Sequence, residues 1–134
     1  MTRAARYAYA LLAWAFLVGV VVQVFFIGLG LFADGDGIVL HQNLGWILHL
    51  APLLVLAAAA VSRAGQRHWL AALALAVVVF IVPILATMRD DSPVIAALHP
   101  VGAILAFWLA ILVAQNSLAA FRAPQPESEP APTA

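Results

Sequence analysis

The chain has 134 residues, of which 66% are hydrophobic and 9% are charged, and its formal net charge is zero. Soluble domains average about 25% charged residues, so this composition excludes a soluble enzyme and indicates an integral membrane protein. The zero net charge also argues against nucleic-acid binding. With no cysteine, no lysine and no hydrolase or phosphate-binding motif, redox chemistry is the one enzymatic role left open.

Four apolar segments follow one another along the chain, and each is near or above the ~20 residues that a membrane-spanning helix needs. We predict helices at residues 7–32, 38–61, 69–88 and 94–121. The first is too long for the apolar part of a signal peptide, which has about 7–15 residues, so we expect it to be retained. Short loops favour an antiparallel four-helix bundle, all-α, over residues 1–122. The proline-rich residues 123–134 have the composition of a disordered tail.

The arginines predict the orientation in the cell membrane. Five of the six fall on one side of the predicted spans: Arg3, Arg6, Arg63, Arg67 and Arg122. Because positive residues in short loops are kept on the cytoplasmic side, both termini are expected there. The loops on the opposite side are acidic, carrying Asp34, Asp36, Asp90 and Asp91.

Three histidines, His41, His49 and His99, lie inside the apolar segments. An imidazole in hydrocarbon is costly without a partner or a ligand, so these residues are the candidate functional positions. His41 and His49 fall within an arc of about 80° on helix 2, about 12 Å apart along its axis. Gln23 of helix 1 lies at the depth of His49, which predicts a hydrogen bond between these two side chains.

Small residues accompany these polar positions. In helix 1, Gly19 and Gly30 are expected to allow close packing against a neighbouring helix. Pro100 directly follows His99 and, as an interior proline, frees the carbonyl of Ala96, so a bend is expected beside His99.

A short pattern occurs in both helix 2 and helix 4. Each follows an acidic loop and begins with Leu-His, with a glycine three or four residues after the histidine: LHQNLGWIL from Leu40 and LHPVGAIL from Leu98. The pattern predicts two related helical hairpins, with His41 and His99 in corresponding places and able to converge across the bundle axis.

Histidines on two facing membrane helices, backed by small residues, are what axial ligation of haem requires. With His41, His49, His99, Gly45 and Gly102 and its four helices, the chain resembles the cytochrome b561 kind of membrane protein. The resemblance implies b-type haem between helices 2 and 4, ligated by His99 and either His49 or His41. That family commonly pairs histidines at each haem, so three intramembrane histidines imply at most one haem here.

The chain also resembles small four-helix actinobacterial membrane proteins of unknown function, which share the LHxxxG style of second helix and imply no activity. Two further hypotheses remain open. His41, His49 and His99 could hold a copper, zinc or iron ion, although His41 and His49 are two turns apart. Alternatively, the protein is a cofactor-free structural or accessory subunit whose histidines are satisfied by Gln23, Asn43 or backbone carbonyls. Exposed small-residue faces would also allow a homodimer or a larger membrane complex.

Overall fold

A computed structural model describes residues 3–33, 35–63 and 65–122, and in these ranges the chain is helical with no strand. The elements are α1 (Arg3–Phe32), α2 (Gly37–Val61), α3 (Gln66–Thr87), the short α4 (Pro93–Ala96) and α5 (Leu98–Arg122). The predicted all-α four-helix architecture is confirmed. The predicted tail at 123–134 lies outside the described residues.

The helices are long and apolar enough to cross a membrane. Four candidate spans are present in the described residues, the fourth formed by α4 and α5 together over Pro93–Ala119. At most 22% of the most apolar stretch of any span is buried inside the bundle. The remaining apolar surface would be unfavourable in water and is compatible with lipid contact, so the chain is a multi-pass integral membrane protein.

The helix boundaries differ from the predicted ones at two places. α1 begins at Arg3 and α3 at Gln66, each a few residues earlier than the apolar pattern indicated. Arginine and glutamine are good helix formers, so a helix continues past the end of its apolar run.

The fourth span is broken at Ala97, between α4 and α5. Pro100 has no N–H to bond to the carbonyl of Ala96, which explains the interruption. The backbone of Ala97 keeps right-handed helical angles, with φ −64° and ψ −13°, so the bend expected beside His99 stays a prediction.

The four spans form a closed ring of neighbours. α1 packs against α2 and α5, and α3 packs against the same two helices. α2 and α5 therefore lie diagonally across the bundle axis from each other. Each hairpin contributes one helix to this diagonal, α2 from the first hairpin and α5 from the second.

The bundle has two chemically different ends. The arginine-rich end carries Arg3, Arg6, Arg63 and Arg67, and the aspartate-rich end carries Asp36, Asp90 and Asp91. Among the described residues, the hydrophobic side chains that are no more than 3% exposed all lie in the half towards the arginine-rich end: Tyr9, Ala13, Phe16, Val55, Ala59, Ala72, Leu75, Ala110, Val113 and Ala114. Tight packing is thus concentrated in one half of the bundle.

Glycines bring α1 and α2 together near the aspartate-rich end. A Cβ atom on Gly30 would lie 2.8 Å from the backbone nitrogen of Ile38, and one on Gly37 would collide with the backbone of Gly30. Further along, a Cβ on Gly19 would lie 2.6 Å from Cδ2 of Leu48. The predicted close packing at Gly19 and Gly30 is confirmed.

The contact between Gly30 and Gly37 can be tested by adding one methyl group. We expect Gly37→Ala to destabilise the protein by about 1–3 kcal/mol, because the added atom meets backbone that cannot move aside. Gly28→Ala is the matched control, since nothing lies within 4 Å of a Cβ there. It should leave stability unchanged or raise it by up to about 1 kcal/mol. Unfolding in detergent would measure both variants, and equal stability of the two would contradict the packing.

Candidate functional site

His41 of α2 and His99 of α5 meet across the bundle axis. Their ring centroids are 6.3 Å apart and their ring planes are inclined at 76°. Both side chains are half-buried in the half of the bundle towards the aspartate-rich end. The predicted convergence of these two histidines is confirmed, and we refer to them as the histidine pair.

Each member of the histidine pair is anchored to the first helix of its own hairpin. Nδ1 of His41 lies 3.1 Å from the backbone oxygen of Gln23 in α1. Nδ1 of His99 lies 2.9 Å from the backbone oxygen of Val82 in α3. The two contacts correspond in the two hairpins, which is the relation predicted from the shared Leu-His pattern.

A glycine one turn further along each helix makes this anchoring possible. A Cβ on Gly45 would lie 2.9 Å from Nε2 of Gln23, and a Cβ on Gly102 would lie 2.8 Å from Cγ2 of Val82. In each hairpin, therefore, the residue that accepts the histidine's hydrogen bond is also the residue that the glycine contacts. The two glycines bring the helices close enough for the histidine to reach a carbonyl. Their predicted place beside a cofactor stays a prediction.

The hydrogen bonds fix which ring nitrogen carries the proton. A backbone carbonyl only accepts, so Nδ1 of each histidine must be the donor, and a neutral ring then has its lone pair on Nε2. Within the described residues, neither Nε2 has a hydrogen-bond partner. A ring held at Nδ1 by a carbonyl, with Nε2 pointing away from it, is the usual arrangement of a metal-binding histidine.

His49 does not join the histidine pair. Its ring stacks on Phe80 of α3, with centroids 4.3 Å apart, and meets the edge of Trp46 at 6.0 Å. Because eight residues turn a helix by about 80° relative to its starting face, His49 points to the neighbouring α3 when His41 points to the diagonal α5.

The side chains of Gln23 and His49 are not joined as expected. Oε1 of Gln23 and Nδ1 of His49 are both buried and have no hydrogen-bond partner. Gln23 holds a histidine through its backbone carbonyl rather than its amide, and that histidine is His41. No sequence signal marks such an acceptor, since every residue has a carbonyl.

Among the described residues, no three histidine or acidic side chains come together as ligands for one metal ion. The three-histidine ion site considered from the sequence is therefore not assembled, because His49 faces α3. Asp36, Asp90 and Asp91 are exposed at the mouth of the bundle. Arg89 pairs with Asp90 there at 3.3 Å, with both side chains more than four-fifths exposed, so the pair adds little stability.

Comparisons with protein-family models, with curated proteins and with solved structures find no match to this chain. The resemblance to cytochrome b561-like proteins and to small actinobacterial membrane proteins thus stays a prediction from the residues.

The pairing of His41 with His99 can be tested by cross-linking, because the chain has no cysteine of its own. We expect the double variant His41→Cys/His99→Cys to be joined within one chain by a short bifunctional thiol reagent. The matched control is His49→Cys/His99→Cys, which should cross-link far less because His49 faces α3. Digestion between the two sites followed by gel electrophoresis would measure the yield. A higher yield for the control would contradict the described geometry.

Proposed function

We propose that the protein is a redox membrane protein that binds one b-type haem, with His41 and His99 as the axial ligands. The observation that carries the proposal is the histidine pair itself: two anchored imidazoles on diagonal helices, each with Nε2 free. Haem bound there would supply one-electron transfer at its iron, and the chain would supply the ligands, their orientation and an apolar surrounding.

The number of ligands favours haem over a bare ion. A zinc site in a protein takes three or four side-chain ligands, but among the described residues two imidazoles come together and no third ligand joins them. The porphyrin of haem provides four nitrogens of its own, so two axial histidines complete the iron's coordination. The proposal therefore needs no ligand beyond the two residues that the fold brings together.

The spacing allows both histidines to reach one metal. A metal held between the two rings would take His41 and His99 as its protein ligands. The centroids of the histidine pair are 6.3 Å apart. The carbonyls of Gln23 and Val82 would in addition make the rings stronger donors to a metal, because they accept the Nδ1 protons.

The side of the membrane follows from the arginines. We propose that the protein lies in the cell membrane with both termini in the cytoplasm, since the arginine-rich end would stay on that side. The histidine pair, near the opposite end, would then face the outer side. An electron donor or acceptor would reach the site there, past Asp36, Asp90 and Asp91.

One set of contacts favours a second candidate, a cofactor-free accessory subunit. The hydrogen bonds to Gln23 and Val82 already satisfy the Nδ1 protons, and Gly45 and Gly102 are used in packing. In that function each histidine would hold together the two helices of its own hairpin by a hydrogen bond, as polar side chains do between membrane helices. The two candidates differ in whether the protein binds a coloured cofactor.

Visible spectroscopy of the detergent-purified protein from haem-supplemented cells distinguishes the candidates. We expect a Soret band, with sharp α and β bands on reduction, as for iron with two histidine ligands. His41→Leu and His99→Leu should each lose the haem or convert it to a five-coordinate, high-spin form. His49→Leu is the matched control and should keep the low-spin spectrum.

Two outcomes would contradict the haem proposal. A folded wild-type protein that stays colourless, with no bound metal by elemental analysis, would support the accessory subunit. A colourless protein carrying copper that is lost in both His41→Leu and His99→Leu would assign the histidine pair to a bare ion. Size-exclusion chromatography of each variant would separate loss of cofactor from loss of fold.

A further inference from the structure

A groove opens at the arginine-rich end, where α2 ends and α3 begins. Its volume is about 360 Å³, and it is lined by Ala59, Ala60, Arg63, Gly65, Gln66 and Trp69. The lining combines two alanines with an arginine, a glutamine and a tryptophan. The groove is at the opposite end of the bundle from the histidine pair and does not depend on the function proposed for that pair.

Arg63 brings an uncompensated charge to this groove. Its side chain is exposed, and within the described residues it has no ion pair or hydrogen bond. No aspartate or glutamate occurs anywhere between residues 37 and 89. The guanidinium group, with five N–H donors in a plane, is therefore available to an anion from outside the chain.

The backbone at Arg63 is unusual for an arginine. Its φ angle is 45°, and it is the one non-glycine residue with positive φ in the described part of the chain. The position directly follows Ser62, the C-cap of α2, where glycine is the preferred residue because it has no Cβ. Backbone conformation therefore disfavours an arginine at this position, where glycine would be unstrained.

The surroundings place the groove at the level of lipid headgroups. Trp69 is 40% exposed, and tryptophan side chains concentrate at the boundary between headgroups and hydrocarbon. Ala59, which also lines the groove, is 2% exposed and belongs to the core of the bundle. The groove thus offers both a cationic, hydrogen-bonding set of side chains and apolar residues.

We propose that this groove binds the headgroup phosphate of an anionic phospholipid. Arg63 binds the phosphate oxygens, the side-chain amide of Gln66 donates a further hydrogen bond, and an acyl chain lies against Trp69 and Ala60. The lipid is anionic because a zwitterionic headgroup would bring a second, positive group beside Arg63, and residues 37–89 hold no carboxylate to receive it. Arginine clusters on the cytoplasmic side of membrane proteins attract anionic lipids in the same way.

Native mass spectrometry of the detergent-purified protein, titrated with phosphatidylglycerol or phosphatidylcholine, tests this proposal. We expect the wild-type protein to bind the first phosphatidylglycerol more tightly than the first phosphatidylcholine. Arg63→Gln should weaken the binding of phosphatidylglycerol about fivefold, the effect of one arginine near an anionic surface. Arg67→Gln is the matched control, because it removes the same charge from the same segment but Arg67 does not line the groove.

A second variant separates the ligand role of Arg63 from its role in the fold. Arg63→Gly suits the left-handed backbone, so we expect it to remain as stable as the wild type while losing the same fivefold affinity. Equal weakening by Arg63→Gln and Arg67→Gln, or no weakening by Arg63→Gln, would overturn the proposed site. Binding of inorganic phosphate by the wild-type protein, with no preference for phosphatidylglycerol over phosphatidylcholine, would show that the ligand is free phosphate and would overturn the lipid proposal.

Discussion

The half of the bundle around the histidine pair depends on one kind of interaction, the hydrogen bond from a histidine to a main-chain carbonyl. An imidazole N–H in hydrocarbon needs an acceptor, and a carbonyl inside a helix still has a second lone pair to offer. The acceptor lies on a different helix, so the two backbones must approach closely. Gly45 and Gly102 permit that approach at Gln23 and Val82. In each hairpin, therefore, one glycine lets the two helices approach and one histidine joins them by a hydrogen bond.

The two halves of the bundle differ in how completely their side chains are packed. Close packing of apolar side chains is concentrated towards the arginine-rich end, where Tyr9, Val55 and Val113 are almost completely buried. That half can stabilise the bundle without help from polar groups. The other half contains the features that ordinary packing would avoid: two imidazoles, a helix break at Ala97 and a glycine-lined hairpin. The histidine pair thus lies in the half of the bundle where packing is less complete.

The two ends of the bundle also differ in charge, and the two proposed sites follow that difference. The histidine pair lies near exposed aspartates, and the groove at Arg63 lies in a stretch with no acidic residue. A phosphate held by a guanidinium would be repelled by carboxylates, whereas a metal cation held by neutral imidazoles would not. The bilayer keeps them apart, because the spans set their separation along the membrane normal.

The sequence by itself determined the class of protein, the number of spans, the approximate helix limits, the close packing at Gly19 and Gly30 and the correspondence of His41 with His99. These properties depend on hydropathy and on local spacing. Only the tertiary structure decided that His41, and not His49, meets His99, because the choice depends on which helix lies diagonally and which lies alongside. It also decided that the backbone carbonyls of Gln23 and Val82 accept the hydrogen bonds of the histidines. Every residue has a carbonyl, so the sequence cannot show which one is used.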